Sequence, residues 1–97
     1  MDSTQTINQT IIQTNNYNIN SLIVKYTIFK TPLTDVDFDY IYGIEVSAHQ
    51  EGGSYICTEK IDDITTNENE AFRIFNLLQD GLVTPITFKD VVYDLID

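Results

Sequence analysis

The spacing of apolar residues changes once along this chain, at Thr65, and that change restricts the fold more than any other feature. Before Thr65 apolar and polar residues alternate, with Val24, Tyr26 and Ile28 set against Lys25 and Thr27. After it, apolar residues recur every three or four positions. A period of two is the mark of a strand with one buried face, and a period near 3.6 is that of an amphipathic helix. A chain that carries both, in two separate blocks, must pack a sheet against helices.

The first block resolves into three strands. Residues 22–30 form one, stopped by Thr31-Pro32, and an acidic loop follows through Asp35, Asp37 and Asp39. Residues 40–49 form the second, with Tyr42, Ile44, Val46 and Ala48 on one face. Gly52 and Gly53 supply the backbone freedom for a turn over residues 50–53. Residues 54–61 form the third. Short connections between successive strands predict an antiparallel meander.

The second block predicts two helices. Thr65 and Glu68 have the spacing of a capping box for a helix over 66–80. Ala71, Ile74, Phe75, Leu78 and Leu82 share a stripe, joined by Phe72 and Leu77, and Gly81 stands where a helix ends. Pro85 then punctuates the chain. Thr87 is expected to cap a second helix over 87–96, with Ile86 and Val91 as a hydrophobic staple. Phe88, Val91, Val92, Leu95 and Ile96 make its apolar side. The expected fold is α+β: a three-stranded antiparallel β-meander followed by an α-helical hairpin packed on one face, β-β-β-α-α, within a single domain over 21–97.

Residues 1–20 carry one charge, Asp2, among Thr, Gln, Asn and Ile. A disordered polar tail is the first reading. The rival is a strand over residues 6–13 added to a sheet edge, with Ile7 and Ile11 on one face.

Charge and composition exclude several function classes. Fifteen carboxylates against five basic residues leave a net charge of −10. Nucleic-acid binding draws on clustered Lys and Arg, so no direct nucleic-acid partner is expected, and an anionic membrane surface repels such a chain. No apolar run approaches the roughly 18 residues of a membrane span. The N-terminus lacks the pattern of a secretory signal, and one cysteine, Cys57, suits a reducing compartment. The expected location is the cytoplasm.

Side chains that could carry chemistry are few. Asp35, Asp37 and Asp39 alternate like calcium ligands, but the sixth and twelfth positions of such a loop hold Tyr40 and Val46 where Gly and Glu are required. His49 and Cys57 invite comparison with a nucleophilic pair. A hairpin closed around residues 50–53 sets His49 opposite Ser54, leaving Cys57 on the order of 10 Å away along the strand. That is too far for thiolate activation. No Gly-rich phosphate loop or serine elbow is present. The expectation is a protein that is not an enzyme and holds no metal or cofactor.

Six tyrosines and five phenylalanines exceed what a core this small needs. Tyr17, Phe38, Tyr40, Tyr55 and Tyr93 are candidates for a contact surface, because tyrosine combines a large apolar ring with a polar tip. The reading that competes with this one is rings covering the core edge with their hydroxyls wet. Asp90 and Asp94, on the wet side of the second helix, join Tyr40, Tyr55 and Tyr93 as the partner-contact residues.

Residues 42–45 (Tyr-Gly-Ile-Glu), 61–65 (Ile-Asp-Asp-Ile-Thr) and 85–96, from Pro85 through Val92 to Ile96, resemble a family of short bacterial proteins catalogued as domain of unknown function 6514. The resemblance runs from about Ser21 to the C-terminus. It implies a bacterial, cytoplasmic protein and supplies no activity. On the residues alone, the expected function is a small acidic protein-interaction or regulatory module, with an unidentified protein partner or a second copy as homodimer. The alternative is a nucleic-acid mimic that occupies a basic nucleic-acid-binding protein, since nine of the fifteen carboxylates lie in residues 59–97.

Overall fold

A computed structural model describes residues 4–16, 19–34, 37–50 and 56–96. It contains four strands, β1 (Gln5–Asn16), β2 (Ile19–Pro32), β3 (Tyr40–Gln50) and β4 (Ile56–Thr65), followed by α1 (Glu68–Asp80) and α2 (Pro85–Ile96). The strands lie side by side in chain order, every neighbour antiparallel. The fold is therefore α+β with an antiparallel sheet and two helices, as the period change predicts. The sheet has four strands and not three. Gln5–Asn16, within the stretch whose composition predicts a disordered polar tail, pairs along β2 from Gln5↔Lys30 to Asn16↔Ile19. β1 is an edge strand of which Ile12 packs against the core. Burial therefore imposes almost no apolar pattern on it.

β2 and β3 pair without a register shift from Leu22↔Gln50 to Pro32↔Tyr40. This places Val24, Tyr26 and Ile28 beside Ala48, Val46 and Ile44 on one face, all buried. β4 is longer than the strand expected over 54–61. It continues to Thr65 because the register slips between Tyr42↔Thr65 and Ile44↔Ile61, a bulge that carries the chain past Gly43. β4 also pairs differently at its start from the strand expected over 54–61. His49 lies opposite Ile56, with the connection through residues 51–55 outside the described residues.

The helices start where caps can form. α1 is capped by Asn67, whose Oδ1 accepts from the Glu70 N–H at 2.9 Å, in place of the Thr65 capping box. Thr65 is still the last residue of β4, and its hydroxyl oxygen accepts from the Asn67 N–H at 3.0 Å. α2 begins at Pro85, two residues before the expected start. A proline at the first helical position lacks only an N–H that would have no helical partner there. Gly81 closes α1 as expected, and the left-handed residue is the next one, Leu82, at φ 49°.

Both helices cover the same side of the sheet. α1 lies over β2, β3 and β4, α2 over β3 and β4, and neither reaches β1. Tyr26, Ile44, Ile74, Phe75, Leu78 and Phe88 fill the space between. Each fully buried side chain of this size contributes roughly 1.5–3 kcal/mol. Tyr26 keeps its hydroxyl satisfied by donating to the Val83 carbonyl at 2.9 Å, which ties the α1–α2 connection to the sheet. Leu77 and Leu82, expected on the buried stripe of α1, are exposed instead.

Candidate interaction surface

α2 sorts its residues by helical angle. Pro85, Phe88 and Val92 face the sheet and are buried, with Val91 and Leu95 partly buried beside them. The opposite side carries Ile86, Asp90, Tyr93 and Asp94, spaced at i, i+4, i+7 and i+8, which places them on one stripe. Ile86 is 79% exposed and Tyr93 52%, and both aspartates are exposed. Ile86 does not serve as the expected staple with Val91, because the helix already begins at Pro85 and its second residue turns outward.

The stripe rests on a fixed base. Lys89 pairs with Glu59 of β4 at 3.1 Å, and Arg73 of α1 donates to the Leu95 carbonyl at 3.4 Å. Arg73 also donates from Nε to Glu70 Oε1 at 3.0 Å, and this hydrogen bond holds the Glu70 carboxyl below its ordinary range. These contacts, together with the buried side of α2, join the helix to β4 and α1 and leave Ile86 and Tyr93 on its outer side.

Of the residues expected to contact a partner, Asp90, Tyr93 and Asp94 share this stripe. Tyr40 does not. It sits at the start of β3, half-buried against the core, with the Lys30 ammonium 4.3 Å from its ring centroid. Tyr55, Tyr17 and Asp35 lie outside the described residues. Phe38, before β3, is exposed. Ile86 was hidden from sequence reasoning by its staple spacing. The signal that finds it is its distance of seven residues from Tyr93, both positions being opposite Phe88 and Val92.

The register also separates His49 from Cys57, for a different reason than distance along a strand. Cys57 pairs with Ala48 and so shares the face beneath the helices, whereas His49, the next residue, projects from the other face. Among the described residues, no three metal-ligating side chains converge and no pocket is formed. No helix among them is long and apolar enough to cross a membrane.

A family model described as a family of unknown function, DUF6514, matches residues 5–97. The chain belongs to that family. The DUF6514 match begins at the first residue of β1, so the edge strand lies inside the family pattern together with the sheet and both helices. No curated protein and no solved structure matches the chain.

Proposed function

We propose that this DUF6514 protein is a non-enzymatic interaction module that docks a partner protein against the outer stripe of α2, in the cytoplasm of a bacterial cell. The observation that carries the reading is the pair Ile86 and Tyr93, two large side chains held in water on one side of a helix whose other side is locked into the core. Tyrosine is a favoured interface anchor, and an exposed isoleucine beside it gains from the apolar area a partner would bury. Asp90 and Asp94 between and beside them favour a partner with basic residues around an apolar pocket.

Nucleic-acid mimicry remains the competing reading, because nine of the fifteen carboxylates lie in residues 59–97. Among the described residues, three of these already have cationic partners: Glu59 with Lys89, Asp62 with Lys60, and Glu70 with Arg73. Pairing of that kind weakens a phosphate-like field and favours the module.

The test is to capture the partner with tagged protein from the cell of origin, then measure affinity for wild type, Ile86→Ala and Tyr93→Ala over a salt series. An anchored interface predicts a loss on the order of 2 kcal/mol for each truncation and little salt dependence. Normal binding by both variants, with affinity collapsing as salt rises, would transfer the assignment to the mimic.

A further inference from the structure

The two edges of the sheet are built differently. β4, at one edge, carries Glu59, Lys60, Asp62 and Asp63 and a bulge opposite Gly43. Charges and bulges are the devices that keep an edge from pairing with another chain. β1, at the other edge, has neither over residues 8–14. This run pairs with β2 without a shift, and no charged residue occurs between Asp2 and Lys25. Among the described residues nothing pairs with the outer side of β1, and neither helix reaches it. Every second residue of such a strand turns its N–H and C=O outward.

The occupant that fits best is a second copy of the chain. The regular run is centred on Ile11, whose side chain is 63% exposed on the face away from the helices. Antiparallel pairing about that residue sets Ile11 against Ile11 of the second copy, Gln9 against Gln13, and Thr10 against Ile12. Two bodies of net charge −10 repel wherever carboxylates meet, and β1 is the stretch where they do not. Lys25, opposite Ile11 on β2, adds a cation beside the seam from each copy. Pairing β1 with β4 of a second copy would bring in the charged edge and would propagate without closing, whereas β1 with β1 closes as a two-fold dimer.

We propose that two copies of the protein join through β1, antiparallel about an axis at Ile11, so that two four-stranded sheets become one of eight strands. The axis stands perpendicular to the sheet, so both helix pairs lie on one face. They flank the seam without crossing it, because they cover β2 to β4 only.

Sedimentation velocity from micromolar to millimolar concentration tests this with the full chain. Wild type should pass from monomer to dimer and go no further, and added salt should tighten the dimer by screening the like charge. Ile11→Glu gains a cross-strand partner in Lys25 within the monomer, yet sets two carboxylates face to face at the axis. It should keep its circular dichroism and dissociate at roughly tenfold higher concentration or more. In a Cys57→Ala background, Ile11→Cys should oxidise to a disulfide-linked dimer, and Thr6→Cys should not. A monomer at every concentration, a series of growing polymers, an Ile11→Glu variant that dimerises like wild type, or equal crosslinking at both positions would each overturn the proposal. None of these outcomes depends on the α2 stripe, so this inference and the proposed function fail separately.

Discussion

The ring of Phe29 occupies the space that a side chain at Gly43 would need. A Cβ at position 43 would come within 2.5 Å of Phe29 Cζ and of the Ile61 carbonyl oxygen. The two residues are register partners on β2 and β3, on the sheet face away from the helices. Phe29 is almost fully buried there because it lies over the glycine and beneath the Lys60 ammonium, 4.7 Å from its centroid.

Gly43→Ala should therefore destabilise the protein by about 1–3 kcal/mol, since the obstruction includes backbone that cannot swing aside. Adding Phe29→Ala should lower stability further, because a buried ring is lost, but by less than Phe29→Ala costs alone, since part of the clash goes with the ring while the Ile61 carbonyl remains. Urea midpoints for the two single variants and the double variant measure the coupling.

Two tyrosines give the fold a pH limit on the alkaline side. Burial pushes the Tyr26 hydroxyl above its ordinary 10.0. Burial also raises Tyr42, and the Glu68 carboxylate that accepts a hydrogen bond from its hydroxyl at 3.1 Å raises it further. The unfolded chain releases these protons near pH 10.0, while the folded chain still holds them. The stability they contribute is complete below that pH and is lost as pH climbs through the raised values. Urea unfolding at successive pH values above neutrality should show this decline, and Tyr26→Phe with Tyr42→Phe should flatten it. At neutral pH, Tyr26→Phe alone should cost about 1–3 kcal/mol by orphaning the Val83 carbonyl.

The start of α1 separates two capping schemes. Asn67→Ala should cost about 1 kcal/mol, since it removes the acceptor for the Glu70 N–H. Glu68→Ala, decisive for a capping box at Thr65, should act instead through the Tyr42 hydroxyl that Glu68 receives. Thermal unfolding combined with the alkaline titration of Tyr42 distinguishes the two roles.

That cap also illustrates what could be read from sequence. β2, β3 and both helices announce themselves because each buries a side, and burial writes its period into the residues: Val24, Tyr26 and Ile28 in a strand, Phe88, Val92 and Leu95 in a helix. Over residues 5–13 β1 buries little beyond Ile12, so its Gln, Asn and Thr residues resemble a polar tail. Its partner is specified by backbone hydrogen bonds, which any residue but proline supplies. The bulge at Gly43 shifted the end of β4, and with it the cap, by an amount no local pattern encodes. On the candidate surface, Asp90, Tyr93 and Asp94 were legible as the wet side of α2. Tyr40 was not separable from them, because an aromatic surplus says nothing about which rings the core absorbs.

The α2 stripe predicts a sharp separation between folding and binding. Ile86 is mostly exposed and Tyr93 about half, so truncating either removes far less buried area than truncating a core residue. Ile86→Ala should leave stability within about 0.5 kcal/mol of wild type, and half-buried Tyr93→Ala within roughly 1–1.5 kcal/mol. Phe88→Ala, two residues from Ile86 but fully buried, should lose about 3–5 kcal/mol because it leaves a cavity under the helix. If the exposed pair is there to dock a partner, the order reverses in a binding assay at a temperature where all three variants remain folded. Ile86→Ala and Tyr93→Ala should then lose affinity, and Phe88→Ala should bind in proportion to its folded fraction. Thermal melts and titration against the captured partner supply both readouts from the same protein. A loss of stability in Ile86→Ala comparable to that of Phe88→Ala would mean that Ile86 is a packing residue, and the stripe would lose its strongest anchor.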